Sequence, residues 1–162
     1  HESPLRGEEF ITRKITLGLA KIYLGKQKIL KIGNIYSKRD WGYAEDYIEA
    51  MWKMIQSKVP TDYVIATGKN HSVKQFINEC VKILKLNTKW TGKGLNEKLI
   101  NKKNNRTLIS IDKKYFRPAE VDNLKGNFNK AKRELKWKPK TSFKNLVKMM
   151  IESDLENVKN LK

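Results

Sequence analysis

Gly33-Asn34-Ile35-Tyr36-Ser37-Lys38-Arg39-Asp40-Trp41-Gly42-Tyr43-Ala44-Glu45-Asp46-Tyr47 is the stretch on which the reading of this sequence turns. It opens on a Gly-Asn pair, a turn signal that closes the preceding run Lys28–Ile32, which reads as a short strand. It then sets Arg39 and Asp40 just ahead of Tyr43–Ser57, a segment with helical periodicity. Ala44, Tyr47, Ile48, Met51, Met54 and Ile55 form an apolar stripe on that helix. A strand, a turn, a charged pair and a helix in that order put Arg39 where loop side chains converge on ligands.

Outward on the N-terminal side, Phe10–Leu24 carries Ile11, Ile15, Leu19, Ile22 and Tyr23 at helical spacing, with Gly25 as its stop. On the other side, Pro60 ends the helical region and Tyr63-Val64-Ile65-Ala66-Thr67 reads as a buried strand bounded by Gly68. Ser72-Val73-Lys74-Gln75 fits a capping box, in which Ser and Gln satisfy free backbone N–H groups at a helix start. Val73, Phe76, Ile77, Cys80 and Leu84 form the apolar face of the helix that follows. Lys89–Arg106 is polar and reads as a loop with marginal strand content, and Thr107–Ile111 alternates as a strand. Helices are expected at about Asn127–Leu135 and Ser142–Val158, and no internal repeat is visible. Mixed elements of this kind imply an α/β or α+β layer structure.

The chain has 162 residues, enough for one domain with a real core. Its first residue is His1, which suggests a processed start or a fragment, and no signal-peptide layout follows. No apolar run reaches the roughly 20 residues that span a bilayer. A lone Cys80 excludes an intramolecular disulfide and suits a reducing compartment, so a cytoplasmic location is expected. The net charge of +18 could signal nucleic acid or an anionic membrane. Against both, the excess is almost all Lys, spread along the chain, with only six Arg. Arg is the residue whose planar fork recognises phosphate bidentately. Neither a nucleic-acid nor a membrane partner is expected. The glycine-rich dinucleotide fingerprint, the phosphate-binding G-x-x-x-x-G-K-[ST] loop and zinc-ligand spacing are all missing from the sequence.

Three segments carry a family likeness. They are His1-Glu2-Ser3-Pro4 with Arg6-Gly7, the run from Gly33 to Tyr47, and Tyr115-Phe116-Arg117-Pro118-Ala119-Glu120-Val121-Asp122. Thr12-Arg13-Lys14-Ile15, Ala66-Thr67-Gly68 with His71-Ser72-Val73, and Trp137-Lys138-Pro139 support them. Together they resemble the GDP-mannose 4,6-dehydratases, which are extended short-chain dehydrogenase/reductases, from His1 to about Glu156. The resemblance implies an α/β fold and identifies residues 1–162 as the C-terminal substrate-binding region, with the N-terminal Rossmann domain largely absent. It implies NADP as cofactor, GDP-mannose as substrate and a homo-oligomer in the intact enzyme. The implied reaction oxidises C4 of the mannose, eliminates water across C5 and C6, and returns the hydride at C6. The family's Tyr-x-x-x-Lys pair, Thr and Glu base lie ahead of the matching segments, so no catalytic residue is expected in this chain.

Residue by residue, the resemblance gives Arg39 and Arg117 to the substrate diphosphate, which two guanidinium forks suit chemically. It gives Glu120 to the ribose hydroxyls, Lys14 to the guanine, Asn34 to the substrate site, and His1 and Arg6 to NADP. The substrate-site residues each have a plainer alternative. Arg39 could pair with Asp40 and Arg117 with Glu120, Asn34 could simply form the turn, and Lys14 could be one more exposed Lys. His71 reads as local structure, Cys80 as a small buried hydrophobe, and Trp41, Trp52, Trp90 and Trp137 as core or interface residues. The sequence departs from the family at Leu5, where Arg is usual, at Tyr43, where His is common, and at Ile35-Tyr36-Ser37 and Gly94–Arg106. An epimerase or reductase of the same superfamily is the alternative function, and a basic nucleic-acid-binding module is a more distant one.

Overall fold

Helical periodicity turns into helices where it also finds something to pack against. The computed structural model describes residues 1–116 and 121–160. Helix α1 spans Ile11–Tyr23 and buries Ile15, Leu19, Ala20 and Ile22. It stops where the Leu24 amide donates to the Ala20 carbonyl and Gly25 takes a left-handed φ of 75°. Strand β1 (Leu30–Ile32) follows, then β2 (Lys38–Arg39), α2 (Ala44–Ile55), β3 (His71–Ser72) and α3 (Val73–Ile83). The α3 start is the expected capping box: the Gln75 amide donates to Ser72 Oγ (3.1 Å) and the Ser72 amide to Gln75 Oε1 (2.7 Å). The remainder is β4 (Thr88–Thr91), β5 (Lys98–Asn101), β6 (Thr107–Ile111), α4 (Asn129–Glu134) and α5 (Phe143–Asn160).

Two sheets result. The larger has strand order β1-β6-β5-β4, with β1 parallel to β6 and the other neighbours antiparallel. Leu30 lies opposite Ile109 and Ile32 opposite Ile111, so the apolar residues of both strands share a face. The smaller sheet pairs β2 with β3, Arg39 opposite His71. Helices α1, α3 and α5 pack on one another, and their apolar faces join Leu30, Ile32, Leu99 and Ile109 in the main core. Across α1 and α5, buried Asp154 accepts from Arg13 Nε (2.7 Å) and Thr16 Oγ1 (2.6 Å). Burial pushes the Asp154 carboxyl above its ordinary pKa, and Thr16 and Arg13 offset part of that. A second, smaller cluster joins Tyr47 and Ala50 of α2 to Ala131 of α4 and to Trp137, with Tyr63, Ile65 and Phe128 against it.

Three expectations change. Lys89–Arg106 holds more strand than the marginal content expected of a loop: β4 and β5 form a hairpin there. Of its strand residues only Leu99 is buried, so the alternation that marks a strand is nearly absent from the sequence. Tyr63–Thr67 is not in a strand, and among the described residues no backbone–backbone hydrogen bond involves residues 61–67. Finally, the α2 stripe splits. Tyr47 and Ala50 are buried, whereas Ile48, Met51 and Ile55 project outward beside Trp52. Trp41 and Trp137 are core residues, and Cys80 is fully buried on α3, its thiol pKa raised by that burial.

Candidate functional site

A cavity of about 810 Å³ opens between the N-terminal segment, the β1–β2 connection and the chain around residues 114–116 and 124–126. Its making begins at β1. Gly33 ends that strand against Tyr115, so closely that a Cβ there would lie 2.2 Å from the Tyr115 carbonyl oxygen. Only glycine allows this approach, which draws the Tyr115 loop over the strand end. The next residue, Asn34, forms the turn with its own side chain, accepting from the Tyr36 amide (2.9 Å), and it also lines the cavity. Its two readings are thus compatible.

Arg39 reaches the cavity from β2 and is half-buried. Its Nη1 donates to the carbonyls of Lys38 (2.9 Å) and Val121 (2.5 Å), which fixes the guanidinium and ties the 121–124 segment to the small sheet. The neighbouring Asp40 serves the backbone. Its carboxylate accepts from the Thr67 amide (2.8 Å) and hydroxyl (2.5 Å) and from the Gly68 (2.9 Å) and Gly126 (3.2 Å) amides. One side chain thereby anchors two stretches of the cavity wall.

Lys14 projects from α1 with its ammonium 3.5 Å from the centroid of the Tyr115 ring, a cation–π contact that orients it at the rim. Arg6 lies across from it, with its guanidinium 3.4 Å from the Phe10 ring centroid and Nε 3.7 Å from a Glu2 carboxylate oxygen. The Arg6 Nε is buried and lacks a hydrogen-bond acceptor. Glu2 is itself buried and accepts from Thr12 Oγ1, while Arg13 Nη1 donates to the carbonyls of Pro4 and Arg6 (3.0 Å for the latter). These bonds hold the N-terminal segment as one wall. His1 stacks on Tyr47 with ring centroids 3.9 Å apart. Burial pushes the Tyr47 phenol up to about 12, with Asp40, Asp46 and Glu2 adding to the shift, so it stays neutral.

Five of the seven expected site residues, His1, Arg6, Lys14, Asn34 and Arg39, therefore line one cavity. Arg117 and Glu120 lie outside the described residues. Lys114, Lys125 and Tyr115 also line it. Neither lysine stood out among so many: Lys125 precedes Gly126, and Lys114 precedes the Tyr115 against which Gly33 packs. Away from the cavity, His71 stacks on Phe143 at 3.8 Å, a structural role, and burial lowers its pKa. Among the described residues no group of three or more His, Cys, Asp or Glu is placed to hold a metal ion. No helix there is long and apolar enough to cross a membrane.

A family profile described as GDP-mannose 4,6 dehydratase matches residues 1–150. The chain belongs to the GDP-mannose 4,6 dehydratase family. Within it, a Dictyostelium discoideum GDP-mannose 4,6 dehydratase is 51% identical over 160 residues, covering 99% of this chain and 45% of the relative. The human family member is 47% identical over 156 residues, covering 96% and 42%. The chain thus spans less than half the length of the curated relatives it matches. Among solved structures, the RMD protein of Pseudomonas aeruginosa in complex with NADPH superposes with a TM-score of 0.77 at 17% identity, over 97% of this chain and 46% of that one. The dTDP-glucose 4,6-dehydratase of Bacillus anthracis in complex with NAD gives 0.69 at 18%, over 98% and 43%. The mixed α/β fold of those two structures is therefore the fold of this chain.

Proposed function

We propose that residues 1–162 form the C-terminal substrate-binding region of a GDP-mannose 4,6-dehydratase, the wall against which GDP-mannose is held for conversion to GDP-4-keto-6-deoxymannose. The observation that carries this reading is the convergence of Lys14, Asn34 and Arg39 on one cavity of about 810 Å³ in a chain of this family. The cavity is of the size that takes a nucleotide-sized ligand.

Arg39 is already fixed by two carbonyls, so its guanidinium meets a diphosphate with little ordering cost. Arg117 supplies the second fork and Glu120 accepts from the ribose hydroxyls. Lys14, held over Tyr115, donates to the guanine carbonyl oxygen, an acceptor that adenine lacks. These contacts are remote from C4, C5 and C6 of the sugar and act by positioning them. NADP is the cofactor in this reading. The buried Arg6 Nε, without an acceptor at the cavity wall, fits an anionic cofactor oxygen, and His1 would donate beside it. When bound, the nicotinamide accepts and returns the hydride of the sugar oxidation. The catalytic acids and bases are supplied from outside this chain, in an enzyme that acts as a homo-oligomer in the cytoplasm.

Calorimetric titration of the folded chain with GDP and with ADP tests the reading. GDP is expected to bind at least about tenfold more tightly, the discrimination that a lost polar contact gives. Equal affinity, or no binding of GDP, contradicts it.

A further inference from the structure

A second cavity, of about 590 Å³, opens between residues 67–71, the start of α4 and the segment 138–144 that leads into α5. Among the described residues Trp41 alone lines both cavities. Part of the lining is aromatic, with Trp41, His71, Phe128 and Phe143 beside Pro139. Those rings are already fixed. His71 stacks on Phe143 with centroids 3.8 Å apart, Phe128 meets Trp137 edge-on at 5.8 Å, and Trp41 meets Phe76 edge-on at 5.4 Å. The segment before α5 is fixed as well. The carboxylate of buried Asp46 accepts from the amides of Lys140 (3.0 Å) and Thr141 (2.8 Å), and its carbonyl accepts from Trp137 Nε1 (2.8 Å). A wall held this firmly loses little freedom when a ligand enters.

Charge separates this cavity from the first. Lys69, Lys132, Lys138, Lys140 and Lys144 line it, and among the described residues no acid does, whereas Glu2, Glu9 and Asp40 line the first. Lys140 pairs with Glu49 (2.5 Å). Among the described residues the ammonium groups of the other four enter no ion pair and no hydrogen bond. Helix α5 begins at Phe143, so the positive end of its dipole adds to them. Unpaired cations of one sign around a partly aromatic cavity define what it can hold. We propose that this cavity binds a small organic phosphate with a flat apolar body. The ring lies among Trp41, Phe128 and Phe143, and the phosphate meets the lysines, which act on it as point charges. An inorganic anion leaves the aromatic lining unused, and a neutral aromatic leaves the lysines unpaired. The inference does not use the nucleotide reading of the first cavity and stands whether or not that reading holds.

The probe is phenyl phosphate, titrated into the folded 162-residue chain and followed by amide NMR, with inorganic phosphate as the reference. Saturable shifts are expected at residues 67–71, 128–132 and 138–144. The dissociation constant should lie at least about tenfold below that of inorganic phosphate, the gain from burying the ring. The pair Lys138→Glu with Lys144→Glu should weaken binding by about tenfold or more while keeping a folded spectrum. The pair Lys89→Glu with Lys102→Glu changes two exposed lysines of β4 and the β5–β6 turn and alters the net charge equally. It should change the affinity by less than about twofold, because exposed charges beyond a Debye length are screened. If the first pair fails to fold, Lys138→Gln with Lys144→Gln reads the same loss. No saturable shift at these residues overturns the proposal, including shifts confined to the first cavity. Equal weakening by the two glutamate pairs also overturns it, since the attraction is then one of net charge alone. So does an affinity no better than that of inorganic phosphate, which leaves the rings without a role.

Discussion

The region built by α1, α3, α5 and the mixed sheet differs in kind from the region built by α2, α4 and residues 63–67. The first closes on itself. Ile15, Leu19, Phe76, Ile77, Val147, Met150 and Ile151 are all fully buried, and the charged pair between its helices, Arg13 with Asp154, is satisfied inside it. The second has a small cluster around Trp137, and its helix α2 leaves Ile48, Met51, Trp52 and Ile55 exposed. Both are helical by the same periodicity. The difference lies in packing: the apolar faces of α1, α3 and α5 meet one another, whereas the outer face of α2 is exposed.

Substitutions sharpen the contrast. Phe76→Ala should cost about 3–5 kcal/mol, the range for deleting a fully buried aromatic ring, and should unfold the first region cooperatively. Denaturant midpoints check this against Trp52→Ala, expected within about 0.5 kcal/mol of wild type in the chain alone. Comparable losses at the two positions would erase the distinction.

The next effect depends on pH. Glu97 is buried where the β4–β5 hairpin meets α3, accepting from Lys74 Nζ (2.6 Å) and from the Tyr36 hydroxyl. Burial alone would raise its pKa, but those two donors hold the carboxyl below its ordinary value of 4.5. An acid whose pKa is lowered on folding stabilises the fold above its unfolded value. That stability is lost as pH falls through the lowered folded value. Thermal midpoints should therefore drop as pH falls below about 4.5, by more in wild type than in Glu97→Gln. At neutral pH the substitution should cost about 1–3 kcal/mol for the lost charge-assisted bonds. Parallel pH profiles would mean that this network is not what ties the hairpin down. Smaller still, Ser72→Ala should cost about 1 kcal/mol, the usual value of a helix cap, in a thermal melt. No change would remove the capping box from the account of α3.

The elements legible in the sequence were those whose signals are local. The capping box at Ser72, the left-handed Gly25 and the stripe of α1 each depend on residues within a turn or two. Those that were not legible depend on partners far along the chain. β5 becomes a strand because β6 lies beside it, with Leu99 opposite Ile109, although little in Lys98–Asn101 alternates. Residues 63–67 carry the reverse mismatch, strand composition with no paired strand among the described residues. The candidate site divides similarly. Motif order singled out Lys14, Asn34 and Arg39, but Asp40, Lys114 and Lys125 join the wall through folding alone. That Asp40 grips Gly126 across 86 positions has no sequence signal at all.

The most direct measurement is the affinity of the folded chain for GDP, a ligand with no sugar, before and after Arg39→Ala. Hydrogen bonds to charged groups are worth about 1.5–3 kcal/mol each, so calorimetry should report a dissociation constant roughly 10- to 100-fold higher. Arg39→Lys should recover part of this, because an ammonium lacks the paired fork, and Lys85→Ala should change nothing. If Arg39→Ala keeps its fold and binds GDP as wild type does, Arg39 serves only to tie Val121 to the small sheet and the diphosphate assignment is wrong.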